Sequence, residues 1–241
     1  MKKYRLTDET IDIFDVTLYR IEAIRDFGSI SAGDKGGFVQ SELNLSQEGN
    51  CWIHNNAKVY GNAKVYGNAK ILDVAGVHGI AKVFGNAEVY GVAEVFGNAE
   101  VYGVAEVFGN AEVYGNAEVY GWAKVFSNAD VYSYAKVYGN AFVHGNAEVY
   151  GKAQVFGVAG VFGNAEVNGD ALIKTDRDYI VFKNWWSSGS YFTWTRSNNM
   201  WKVGCFYGSG KELIKKAYAD SEENGKEYER VVRYVESILA D

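Results

Sequence analysis

Residues 97–114 read Gly97-Asn98-Ala99-Glu100-Val101-Tyr102-Gly103-Val104-Ala105-Glu106-Val107-Phe108-Gly109-Asn110-Ala111-Glu112-Val113-Tyr114, one hexapeptide written three times. Outward from this stretch, alanine recurs every six residues from Ala57 to Ala171. An aliphatic residue stands two places after every alanine, in a series that runs from Ile53 to Ile173 without a skip. A fixed short period marks a solenoid, in which each repeat buries its apolar side chains only against its neighbours. Within Ala111-Glu112-Val113-Tyr114 the alternation has period two. It predicts a short strand with Ala111 and Val113 facing inward and Glu112 and Tyr114 outward. Gly-Asn supplies the corner, since both residues tolerate positive φ.

Small-x-aliphatic at six-residue spacing resembles the hexapeptide motif of left-handed parallel β-helices, in which three strands make one triangular coil of eighteen residues. The expected fold is mainly β: a single-stranded left-handed parallel β-helix of about seven coils, roughly 33 Å long at the ~4.8 Å strand spacing. A β-solenoid with another number of strands per coil is the alternative. Folding the chain at eighteen residues aligns aromatic columns on all three faces, for example Tyr60, His78, Phe96, Tyr114, Tyr132 and Tyr150. Stacked rings support one another between coils. So much apolar surface also points to lateral self-association, as a homo-trimer or dimer. A further column, Glu94, Glu112, Asp130, Glu148 and Glu166, stacks five acids on one face, to be relieved by salt, a cation or a basic partner.

Both ends of an open solenoid need caps. Residues 1–50 read as an N-terminal β cap, with strands at Val16–Ile21 and Gly37–Val39. Tyr4-Arg5-Leu6-Thr7, Gly36-Gly37-Phe38-Val39 and the segment from Asn44 to Ile53 resemble the opening of uncharacterised bacterial and phage hexapeptide-repeat proteins of the YdcK type. That resemblance covers roughly residues 1–173. It implies the left-handed β-helix and no established activity. After the helix of residues 51–173, the tail of residues 174–241 abandons the repeat. It reads as a βββαα unit with strands at Asp178–Trp186, Ser190–Thr195 and Met200–Phe206. Ser209-Gly210-Lys211-Glu212 is a capping box opening a helix to about Ala219. Tyr228, Val231, Val232, Val235, Ile238 and Leu239 fall on one face of a second helix. The unit, with Val203-Gly204-Cys205-Phe206-Tyr207-Gly208, is similar to a small module of phage-encoded proteins.

The 241 residues carry a net charge of −6. No apolar run suits a membrane span and the opening Met1-Lys2-Lys3-Tyr4 lacks a signal core, so a cytoplasmic setting without membrane contact is expected, the host cytoplasm for a phage protein. Cys51 and Cys205 make neither a metal site nor a disulfide framework and read as buried, reduced thiols. Residues 174–216 hold eight basic residues against three acidic ones, whereas the repeats hold seven lysines against eleven acids. An acidic rod with a mildly basic end favours a small anionic partner over duplex nucleic acid.

Chemistry is sparse in the pattern. Hexapeptide-repeat acyltransferases generally use a histidine base and a loop that interrupts the coil. Here the coil is uninterrupted, His78 and His144 replace aromatics in different ladders, and His54 belongs to the first coil. Gly208-Ser209-Gly210-Lys211 fails as a phosphate loop, because Cys205 and Glu212 replace the required glycine and Ser/Thr. The helix start there could still hold an anion through its free amides. The remaining cluster is Trp185, Trp186, Ser187, Ser188, Tyr191, Trp194, Arg196, Asn198, Asn199, Trp201 and Lys202. Such residues can stack on a planar base and hold its phosphates or sugar hydroxyls, or the tryptophans can form the core of a small sheet. The expected function is therefore a non-enzymatic oligomeric binding or scaffold protein, with no catalytic residues, cofactor or metal, that sequesters an anionic nucleotide-like molecule such as a host defence signal. A virion or filament component built through the aromatic ladders and a hexapeptide-repeat acyltransferase are the alternatives.

Overall fold

A computed structural model describes residues 2–239. Every alanine and aliphatic residue of the period is buried, from Ile53 through Ala57 and Val59 to Ala171 and Ile173. Each inward pair is flanked by a two-residue strand, and strands eighteen residues apart pair in parallel, as Glu94-Val95 does with Glu112-Val113. Three faces result. The first carries outward residues Lys58, Gly76, Glu94 and onward, the second Lys64, Lys82, Glu100 and onward, and the third Trp52, Lys70, Glu88 and onward. Seven strands per face make the triangular parallel β-helix expected from the repeat.

Backbone amides of one coil donate to carbonyls of the next, as Glu112 N does to Ala129 O at 3.1 Å and Tyr114 N to Val131 O at 3.0 Å. The coil spacing falls in the range of offset-stacked aromatic rings. Tyr114 and Tyr132 therefore stack at 4.9 Å between centroids with planes 1° apart. Asparagines at the corners chain in the same way, Asn110 donating to Asn128 and Asn128 to Asn146. The corner glycines adopt positive φ. At Gly103 (φ +76) a Cβ would also lie 2.9 Å from the backbone nitrogen of Gly121, so both conformation and space exclude a side chain.

The first face extends into the N-terminal cap through β1 (Tyr4–Ile13), β2 (Val16–Ala23) and β3 (Lys35–Val39), with Phe38 and Val39 pairing in parallel with Lys58 and Val59. Strand β1 escaped the reading of the sequence because Thr7, Asp8, Glu9 and Thr10 give it no apolar face. Ala23, Phe27, Trp52 and Tyr4 close the end of the core.

At the far end the sheet of the tail has four strands where three were expected: Tyr179–Lys183, Tyr191–Thr195, Met200–Val203 and Phe206–Gly208, in sequential antiparallel order. Gly204, at φ +52, reverses the chain and lets Phe206–Gly208 fold back on Met200–Val203. Helices α1 (Gly210–Asp220) and α2 (Glu222–Leu239) cover one side of this sheet. Leu213, Val232 and Val235 are buried there against Phe192, Trp194 and Trp201. Ile238 and Leu239, expected on the packed face, are about two-fifths exposed. Both cysteines are free, but only Cys51 is buried. Cys205 stands in the exposed turn after Gly204, which corrects the expectation of two buried thiols. Among the described residues no helix is long and apolar enough to cross a membrane.

Candidate functional site

The tail cluster does not converge on one site. Trp194 and Trp201 are core residues at 2% exposure, and the Trp194 indole donates to Asn199 Oδ1 at 2.9 Å. Trp186 packs on the same core, while Trp185 is exposed. The hydroxyls of Ser187 and Ser188 accept from the side-chain amide of buried Asn184. The other side of the sheet docks on the last coil. Lys202 pairs with Glu166 at 3.0 Å, and Asn198 donates to Asp170. Tyr191 lies at the seam with the coil beside Phe162, and Arg196 points into solvent. Alternation puts neighbouring members of the cluster on opposite sides of the sheet, so sequence proximity does not become proximity in space. The start of α1 is likewise occupied by its own residues, since Ser209 N donates to Glu212 Oε2 and Glu212 N to Ser209 Oγ.

A denser arrangement lies on the first face. Along the rod, an aromatic residue sixteen places before an acid commonly reaches down one coil. Tyr90 donates to Glu106 at 3.0 Å, Tyr102 to Glu118 at 3.1 Å, and Tyr132 to Glu148 at 2.8 Å. At one such position the phenol is replaced by an imidazole: His78 Nε2 lies 3.5 Å from Glu94 Oε2. The outward residue above Glu94 is Gly76, where every Cβ is missing. A Cβ there would lie 2.1 Å from Glu94 Oε2, so the carboxyl occupies the notch that glycine leaves. Glu94 Oε2 is buried and has no hydrogen-bond partner among the described residues.

The electrostatics follow from this packing. Burial raises the Glu94 carboxyl to about 6; the charge of Lys58, across the notch, opposes the rise and that of Glu112 adds to it. Burial between the rings of Tyr60 and Phe96, stacked at 4.8 and 5.0 Å, lowers the His78 imidazole below its ordinary value. Near neutral pH the pair is thus a neutral imidazole beside a carboxylate, which is the state a proton acceptor needs. The phenols cannot take that role, since burial and the neighbouring carboxylate push Tyr90 up to about 12. His144 stacks between Phe126 and Phe162, but the residue sixteen places on is Gly160, which offers it no carboxylate. His54 is lowered by burial and by Lys70.

The pair was missed in the sequence because His78 reads as one more ring in a ladder. The available signal was the joint occurrence of Gly76 in a charged column and an acid at the sixteen-residue offset.

Two residues past His78, at the corner Gly79-Ile80, begins a cleft of about 540 Å³ between the cap segment of residues 40–44 and the first two coils. Its walls include Gln40, Ser41, Leu43, Asn44, Lys64 and Ile80.

No protein-family model matches the chain. The chain is 41% identical over 63 residues to the uncharacterized acetyltransferase YdcK of Escherichia coli, a match that covers 23% of this chain and 19% of that protein. The match supports a hexapeptide-repeat protein and lends nothing to a phage-type tail module. It also corrects the expected function: the relative is named as an acetyltransferase, which favours the acyltransferase alternative over a non-enzymatic protein that sequesters nucleotides. The chain thus has a partial acetyltransferase relative and, on its first face, one histidine paired with a carboxylate.

Proposed function

We propose that the chain is a hexapeptide-repeat acyltransferase that moves an acyl group from a thioester to an amine or hydroxyl acceptor. The observation that carries this reading is His78 facing Glu94 in the Gly76 notch. In the tautomer that carries its proton on Nε2, 3.5 Å from Glu94 Oε2, the imidazole has Nδ1 as its proton acceptor. The acceptor gives that proton to His78 as its heteroatom attacks the thioester carbonyl. The carbon–sulfur bond then breaks, and the imidazolium returns the proton to the departing thiolate. Glu94 stabilises the imidazolium while it exists, and general-base assistance of this kind contributes about 10²–10⁴-fold. Self-association through the exposed corner residues Val104, Trp122 and Val158 belongs to the same proposal.

The test is thiol release from acetyl-coenzyme A in the presence of a panel of amine and hydroxyl acceptors. His78→Gln is expected to lower turnover by about 10²-fold or more. His144→Phe, which completes a ladder and touches no carboxylate, is expected to leave turnover unchanged. Equal activity in wild type and H78Q rejects the assignment.

A further inference from the structure

The cleft beside the cap sets an exposed apolar residue of the rod against an exposed apolar residue of the cap segment. The corner between the first and second faces carries Asn62, Asn98 and Asn116, then Tyr134 and Lys152; position 80, in the lining of the cleft, holds isoleucine, 55% exposed. Across from it stands Leu43, 83% exposed on the cap segment. Two apolar side chains at these positions add nothing to the core, which lies on the other side of the backbone.

The segment that presents Leu43 is firmly held. Gln40 N donates to Val59 O, and Gln40 Oε1 accepts from Gly61 N at 2.8 Å. Asn44, 1% exposed, donates to the carbonyls of Gly61 and Ala63 and accepts from Ser41 N. A cleft with pinned walls keeps its shape before a ligand arrives, which lowers the ordering cost of binding. At its foot is Lys64. The lysine beside it, Lys82, is paired with Glu100 at 2.7 Å, whereas among the described residues Lys64 has no carboxylate at ion-pair distance. The site therefore offers an apolar slot, polar walls and one free cation; His78 is not part of its lining and precedes Ile80 by two residues in the chain.

We infer that this cleft receives the acyl-thioester donor. The apolar arm lies between Leu43 and Ile80, the anionic carrier end lies at Lys64, and the thioester carbon is brought round the corner toward His78. The inference rests on the acyltransfer reading and adds to it where the donor binds, within a single chain and at its capped end.

The probe is S-ethyl coenzyme A, a thioether that cannot transfer, with binding measured by calorimetry on the full chain. Two variants disturb the cleft while keeping residues the rod already uses in those columns. Ile80→Asn restores the corner asparagine, and Lys64→Glu places an acid where Glu100 and Glu118 stand. Each is expected to weaken binding by about 5-fold or more and to raise the KM for acetyl-coenzyme A with kcat little changed. Tyr134→Asn, at the equivalent corner three coils along, is expected to bind as wild type does. Wild-type affinity in both I80N and K64E, or no binding by the wild type, overturns the inference. The two readings fail separately. Transfer that needs His78 but ignores I80N and K64E removes the cleft alone. Binding that I80N and K64E weaken, without any transfer, removes the acyltransfer reading alone.

Discussion

Ser127 and Ser133 occupy corner positions that glycine fills in most coils, and they adopt the same left-handed backbone, with φ of 65 and 61. An L-residue there is disfavoured by about 1–2 kcal/mol, part of which glycine gives back through the greater entropy of its unfolded state. Ser127→Gly is therefore expected to stabilise the chain by about 0.5–1 kcal/mol, read as a shift of the denaturation midpoint at constant slope. An unchanged midpoint would mean that the serine side chain recovers the strain. At the same scale, His78 illustrates what single residues conceal. Its type and its place in a ladder were plain, yet its chemistry depends on Glu94 sixteen residues away and on the side chain that Gly76 lacks.

The acid column of the first face is an element with its own titration. Lys202 from the tail pairs with Glu166, and Tyr132 donates to Glu148, so the end of the column nearest the tail is relieved locally. Glu94 and Asp130 are not relieved in this way. Burial, with Glu112 and Glu148 adding repulsion at Asp130, raises both to about 6 from ordinary values of 4.5 and 3.8. A carboxyl with a raised folded pKa binds its proton more tightly in the folded chain. Its contribution to stability is present below the unfolded pKa and lost as pH rises through the folded one. Glu9 and Glu212, lowered by their hydrogen bonds, act with the opposite sign and only at lower pH. The thermal midpoint is thus expected to fall between about pH 4.5 and pH 6 and to level off above pH 7. Glu94→Gln together with Asp130→Asn is expected to flatten that fall. A midpoint that rises across this window in the wild type would contradict the buried-carboxyl account.

For the whole molecule, stability is a sum over coils joined by the same contacts. Deleting residues 109–126 removes one coil of eighteen and joins Phe108 to Ser127, leaving every inward alanine and valine and every outward column in register. This variant is expected to keep a single cooperative unfolding transition in circular dichroism, at a slightly lower midpoint. Deleting five residues, 109–113, moves each later alanine and valine off the inward positions and is expected to abolish that transition. Equal behaviour of the two deletions would show that phase does not hold the rod together.

The hexapeptide alone determined the parallel coil, its three faces, its ladders and its buried residues. Local alternation decides which side chains point inward, and a constant period repeats that decision at every coil. The capping box at Ser209 was equally legible, because its partners are three residues apart. The candidate site was not. The tail aromatics are adjacent in sequence but fall on both sides of one sheet, so only the packed structure separated Trp194 and Trp201 in the core from Trp185 in solvent. His78, Glu94 and the cleft at Ile80 are assembled across coils and against the cap. The distances that give them their chemistry exist only once the backbone has wound and the segment of residues 40–44 has closed on the first turn.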